Sequence, residues 1–360
     1  MNDRTRRASV AGLLMIAGTI GSVQAGPIED LLAGNFRWTT DTAVLEIDTG
    51  KLPPPPAGGD WSQVKDPSVV YYQNRWHLFC SILNPGGHDV SGRLRIGYMS
   101  FSNWKDAPST AWHLLELYRP GDFIGYHGAP QVFYFAPQNK WYLVYQFANK
   151  SRGLFYGPYY STTDTIGDPS SWTMPKLLHT TVPGKEGLDH WVICDDSYAY
   201  HFWTTLNGNM WMARTQLSTF PKSGWTAPVI AKENANLFEA SHTYRIKGLN
   251  KYLTIAVNGE SPRFYQAYIA DQLAGPWTDL AATRNKPFAG LSNVTWTKGR
   301  WALEIDHGEL IRTGYDQKME VDPHDLRFLF QSRTLHGGWD YRLGILTSTH
   351  TSVSRGVPAR

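Results

Sequence analysis

The segment Pro67–Ile82, PSVVYYQNRWHLFCSI, reads as two apolar, aromatic-rich strands around the polar turn Gln73–Asn74. The same shape returns in Pro130–Phe147 (PQVFYFAPQNKWYLVYQF), Trp191–Thr205 (WVICDDSYAYHFWTT), Glu239–Val257 (EASHTYRIKGLNKYLTIAV) and Ser292–Ile305 (SNVTWTKGRWALEI). With Trp76, Trp141, Tyr198, Tyr252 and Trp301 as corresponding positions, the steps are 65, 57, 54 and 49 residues, near the size of a four-stranded blade with its loops. Second units lie between these hairpins and end alike, as in IGYMSFSNW (Ile96–Trp104), MARTQLSTFPKSGW (Met212–Trp225) and AYIADQLAGPW (Ala267–Trp277). An inner hairpin followed by an outer one, five times, predicts an all-β, five-bladed β-propeller with strands packed radially around a central channel. The alternative is a pair of β-sandwiches with coincidental spacing.

Outward from the repeats, the chain predicts a leader (1–25), an N-terminal lead-in segment (26–58), one propeller domain (59–348) and a polar tail (349–360). Residues 1–25 hold Arg4, Arg6 and Arg7, an apolar run Ala11–Ile20 and small residues at Val23 and Ala25, the layout of a secretory signal peptide cleaved after Ala25. The Arg6–Arg7 pair raises a twin-arginine route, but the residues after it fit that pattern poorly. No later stretch approaches the roughly 18 apolar residues of a spanning helix, so a soluble, secreted protein is expected. Of the formal +3 charge the leader contributes +2, and a near-neutral remainder without a basic cluster excludes nucleic acid and anionic membranes as expected partners. The proline run Lys51–Gly59 reads as a stiff approach to the domain. Cys80 and Cys194 each sit in an apolar strand and read as buried thiols, with a mutual disulfide as the alternative. The 15 Trp, 19 Tyr and 15 Phe suit both a β core and the stacking of sugar rings.

In a propeller the inner strands start near the central opening, so functional side chains are expected there. Three acids occupy such positions: Asp66 in VKDPSVVYY, Asp189 in GLDHWVICDD and Glu239 in NLFEASHTY. Singly, each has a plain structural reading as a turn former or a paired charge. Three at equivalent places in apolar surroundings point to a site, because burying carboxylates is costly unless they are used.

The segments VKDPSVVYY, GAPQVFYFAPQNKWYLVYQ, YYSTTD, WVICDD, LFEAS, NKPFAGLSNVTW and HGELIRTGYDQ through RLGILT resemble glycoside hydrolase family 62, the α-L-arabinofuranosidases, from about Phe36 to Thr347. The resemblance is closer than that to family 43, which shares the fold and the three acids. It implies an inverting hydrolysis in which Asp66 is the general base, Glu239 the general acid and Asp189 the carboxylate that orients the acid and raises its pKa. Asp195 and Asp196 compete for the third role but lie within or beyond the strand. His307 in EIDHGELIR matches a histidine that approaches a calcium ion in the channel, with a hydrogen-bonded core histidine as the alternative, since calcium prefers oxygen. Lys65, Arg263 and Tyr315 match sugar contacts, or equally structural pairs. The implied activity is exo release of L-arabinose from arabinoxylan, with arabinan as a further substrate, by a monomer. Its rivals are an endo-arabinanase or β-xylosidase on the same scaffold and a non-catalytic sugar-binding propeller. The chain departs from the family pattern at Trp339–Asp340, in a longer segment Ser81–Ser100, and at His127.

Overall fold

The computed structural model of the chain describes residues 26–55, 58–84, 93–119, 126–149, 153–180, 187–336, 338 and 340–349. The leader, Trp339, the middle of the segment 81–100 and the tail from 350 lie outside the described residues. The fold is all β, apart from one short helix, Pro27–Leu32, that starts on proline, and a few 3₁₀ turns.

Five inner strands run Gln63–Tyr72, His127–Phe135, Leu188–Cys194, Leu237–Ile246 and Asp306–Leu310. Each leads a four-strand antiparallel unit. The first continues through Arg75–Leu83, Leu94–Phe101 and His113–Leu114, and the third through Tyr198–Thr204, Asn209–Gln216 and Val229–Glu233. The last is assembled from both chain ends: Asp306–Leu310 pairs with Arg327–Arg333, that with Tyr341–Ser348, and that with Trp38–Thr40. Hydrogen bonding nevertheless groups the strands into four sheets of nine, four, six and four, not five. The first and fifth units share the nine-stranded sheet through one parallel pair, Gln63 with Tyr341.

Two expectations need correction here. The fifth inner hairpin is not Ser292–Ile305. Val294–Trp296 is an outer strand beside Trp38–Thr40, and Trp301 lies outside any strand. The true fifth inner strand, Asp306–Leu310, is fully buried yet carries Asp306, His307 and Glu309, so its polarity hides it from an apolar pattern. The predicted lead-in segment also contains a strand of the sheet, held because the Trp38 indole donates to the Phe288 carbonyl at 2.6 Å and packs edge-on to the Phe288 ring. Burying one tryptophan contributes about 4–6 kcal/mol gross, enough to hold a three-residue strand in place.

Every inner strand shifts register near its start: at Lys65/Ser68, Gly128/Gln131, Leu188/Trp191, Glu239/His242 and Asp306/Gly308. Such bulges re-aim side chains. In four of them a non-glycine residue is left-handed: Asp66 (φ 49), Ala129 (φ 47), Asp189 (φ 55) and Ala240 (φ 54). A conformation that costs of order 1 kcal/mol or more persists only when neighbours hold it, and at these bulges the neighbour is the next unit. The Ala129 amide donates to Ser81 Oγ at 2.8 Å, Val192 to Gln131 Oε1 at 2.7 Å, Ala240 to Asp189 Oδ2 at 2.7 Å, and Gly308 to Tyr265 Oη at 2.6 Å. The ring of bonds closes when the Asp66 amide donates to Gln331 Oε1 at 2.6 Å.

At the other end of these strands the segment 311–321 crosses four units in turn. Arg312 donates to the Val69 and Val132 carbonyls at 3.0 Å each, and the Tyr134, Cys194 and Arg245 amides donate to the carbonyls of Tyr315, Gln317 and Met319. Glu320–Val321 then pairs in parallel with Arg245–Ile246. Cys80 and Cys194 are buried free thiols.

Candidate active site

The bulges turn the acids of three units toward one end. Asp66 lies within the first inner strand, at its bulge, and Asp189 and Glu239 sit at the bulges of the third and fourth. His307, from the fifth, joins two of them: its Nδ1 is 3.4 Å from Asp66 Oδ1 and 3.7 Å from Asp189 Oδ2.

Asp189 is a fixed point. Its Oδ2 accepts the Ala240 amide, which sets the bend beside Glu239, and its Oδ1 accepts Gln146 Nε2 at 3.0 Å. Burial raises its pKa, His307 opposes, and the Asp66 charge adds to the rise. Side-chain exposure separates the acids by what they can touch: Glu239 keeps 17% and Asp66 13%, whereas Asp306 has none.

Glu239 meets opposing forces. Arg263 Nη1 stands 2.6 Å from its Oε1, which favours the carboxylate. The same nitrogen also donates to Asp306 Oδ1 and Oδ2 at 3.0 and 3.1 Å, so its charge is shared with a second, fully buried acid. Burial first, then the Asp306 and Asp189 carboxylates, push the Glu239 pKa well above the usual range despite Arg263 and Lys65. Glu239 is therefore a carboxyl of raised proton affinity, the property a general acid needs.

Lys65 lies at the same end, its Nζ 5.1 Å from the centre of the Tyr341 ring. Burial works against its charge, but Asp66, Tyr341, Glu239 and Asp306 outweigh it and raise the pKa, so Lys65 stays a cation. Arg263 is anchored too, with its guanidinium 4.8 Å from the Phe238 ring centre.

Tyr315 is not brought there. Its ring packs against Tyr72 at 4.9 Å and Trp141 at 5.5 Å, at the opposite end of the inner strands. The reason is topological: Tyr315 follows the fifth inner strand and belongs to the crossing segment. Asp195 and Asp196 also leave the contest. Asp195 caps the turn to Tyr198, and Asp196 faces Lys318 at 3.0 Å. His127 is buried with its ring edge-on to Phe147.

The sequence reading missed Asp306, Tyr126, Gln146 and Gln331. Asp306 stands at the start of the fifth inner strand, equivalent to the other acids, and was legible only once that strand was placed. Tyr126 precedes the second inner strand and packs edge-on to Tyr156; burial, then Tyr156 and the charges of Asp66, Asp189 and Glu239, hold its hydroxyl pKa well up. For calcium, no group of three or more His, Cys, Asp or Glu side chains among the described residues is arranged to hold a metal ion. The donors beside His307 are the Asp66 and Asp189 carboxylates of the acid cluster, and calcium draws further oxygens from backbone carbonyls and water. No chemistry is routed through that ion.

Comparison with known proteins identifies the family. The family described as glycosyl hydrolase family 62 matches residues 46–347. Alpha-L-arabinofuranosidase C of Cellvibrio japonicus (strain Ueda107) is 36% identical over 354 residues, covering 94% of this chain and 53% of its own length, so the chain spans about half of that relative. The catalytic domain of a Coprinopsis cinerea family 62 α-L-arabinofuranosidase superposes with a TM-score of 0.77 at 34% identity, covering 89% of this chain and 99% of that one. A Podospora anserina α-L-arabinofuranosidase in complex with cellotriose gives 0.74 at 30% identity, covering 87% and 96%.

Proposed function

The chain belongs to glycosyl hydrolase family 62, and from that premise we propose that it removes terminal α-L-arabinofuranosyl groups from a xylan backbone by a single inverting displacement. Asp66 takes a proton from water as the water oxygen attacks the anomeric carbon. The glycosidic C–O bond breaks, and Glu239 delivers its proton to the departing backbone oxygen. Asp189 positions Glu239 by holding the Ala240 amide, and it raises the proton affinity of Glu239 together with Asp306. Lys65 and Arg263 are the contacts for the furanose hydroxyls. One observation carries the proposal: an acid with raised proton affinity, Glu239, and a second partly exposed acid, Asp66, are held at one end of the inner strands by a common network.

The five bulge-to-neighbour bonds support a five-bladed propeller, with the nine-stranded sheet counted as two blades joined at Gln63 and Tyr341. Export through the leader 1–25 belongs to the same reading. NMR of the first product released from arabinoxylan tests the mechanism. The β-anomer of L-arabinofuranose is expected, and the α-anomer overturns inversion. Calcium beside His307 belongs to the same reading: a rate lost on dialysis against a chelator and restored by calcium would support the ion, and an unchanged rate would remove it.

A further inference from the structure

At the end opposite the acids, a groove of about 580 Å³ opens between the first and second units, within the roughly 300–1,000 Å³ usual for small-molecule sites. Its lining includes Tyr72 and Trp141 with Arg75, Ser100, His113 and Thr165. Tyr72 is six residues beyond Asp66, so the groove lies roughly 20 Å from the acids along an extended strand. The rim is a tight turn in which both Gln73 (φ 48) and Asn74 (φ 61) are left-handed. This primed hairpin turn favours Asn and Gly, so Gln73 is held there at some cost.

The groove lining carries one cation, Arg75, and one acid, Asp164. Arg75 is braced by Ser100, with Nε to Oγ at 2.8 Å and Nη2 to the carbonyl at 2.6 Å, which leaves further guanidinium protons free to donate. The acid on the opposite wall, Asp164, is paired with Lys140 at 2.8 Å. Below them His77 is fixed by Tyr98 Oη at 2.8 Å, and burial pushes its pKa down to about 4, so it adds no charge. An ionic ligand would need an excess of one sign. The half-buried Tyr72 ring, backed by the buried Trp141, beside several hydroxyl-matching donors and acceptors suits a C–H face and the hydroxyls of a neutral sugar chain.

We propose that this groove is a second saccharide site, which holds a neutral xylan backbone at the end remote from the acids. It rests on the proposed polysaccharide substrate, and it would keep the protein on an insoluble polymer while the acid end works on another chain. Two sites on one molecule raise retention without new chemistry.

The test measures binding to insoluble arabinoxylan in a Glu239→Gln background, so that no substrate is consumed. Two groove variants are compared, Arg75→Ala/His113→Ala and Gly167→Leu. Both change exposed positions, and a Cβ at Gly167 meets only His77 Cε1 at 4.0 Å, so the larger side chain has room to fold but obstructs the groove. Each variant is expected to bind about tenfold more weakly, with an unchanged thermal melt. Unchanged binding in both overturns the site. Arabinose release by the unsubstituted chain is measured separately: its absence would sink the hydrolase reading, while the binding comparison still decides the groove.

Discussion

At their starts the five inner strands carry Asp66, Asp189, Glu239 and Asp306, bent by bulges and linked through His307 and Arg263. At their ends the same strands are crossed by the segment 311–321, where the guanidinium of Arg312 meets Glu309 at 2.7 Å, both side chains fully buried. Each end therefore buries charge, with opposite consequences. At the start four acids face Lys65 and Arg263, so Asp189 and Glu239 are held against the repulsion of their neighbours and their proton affinities rise. At the far end one cation satisfies one acid and two backbone carbonyls, so the charges serve to seal. Mutual repulsion between buried acids is what a reaction can use, and a matched buried pair mainly fixes structure.

The largest test of that contrast is at the acid end. Glu239→Gln is expected to lower kcat on arabinoxylan by about 10²–10⁴-fold, with thermal stability equal or higher because a carboxyl crowded by Asp306 and Asp189 is replaced by an amide. A stability loss with a retained rate would reverse the roles of the two ends. At the sealed end Arg312→Met should cost about 3–5 kcal/mol in urea unfolding by stranding Glu309, with an unchanged rate per folded molecule. The double variant Arg312→Met/Glu309→Gln should recover part of that loss, and no recovery would mean that the pair is not what Arg312 stabilises.

A third buried polar group belongs to neither end and sharpens the contrast. His179 Nε2 lies 2.7 Å from His201 Nδ1, and His201 Nε2 lies 3.1 Å from His190 Nδ1. Burial pushes His179 down to about 4 and His190 to about 3, and His201 is also well below its usual 6.5. Folded, the three are neutral; unfolded, each takes up a proton as pH falls below 6.5. Stability should therefore be lost from pH 6.5 down to about 4, by up to about 1.4 kcal/mol per pH unit for each histidine. A melting temperature that stays flat over that window would show that the three histidines take up protons in the fold as readily as in the unfolded chain.

The smallest expected effect is the most diagnostic. Asp306→Asn removes the carboxylate that most raises Glu239 and leaves Arg263 to Glu239 alone. Both changes lower the Glu239 pKa, so the proton is lost earlier and the basic limb of kcat/KM should move to lower pH, by about one unit. A limb that stays in place would mean that another group carries the proton.

Much of this was legible in the residues. Four of the five inner hairpins were visible because their strands are apolar on both faces, and Asp66, Asp189 and Glu239 stood out against that background. The fifth was missed for the converse reason: Asp306–Leu310 is a buried strand that carries two acids and a histidine, while the aromatic run near Trp301 imitates a hairpin at the outer edge. Tyr315 was misplaced because its neighbours in sequence, His307 and Arg312, straddle the length of the fold.

By itself the sequence determined an all-β chain of repeated hairpins with acids at strand starts, since alternation, turns and repeats act over a few residues. Only the tertiary structure decided that Asp306 and Arg263 set the proton affinity of Glu239, that residues 311–321 cross the far ends, and that Trp38–Thr40 completes the last unit. Those outcomes depend on distances between residues tens to hundreds of positions apart. Electrostatic coupling falls off with separation in space and is blind to separation along the chain.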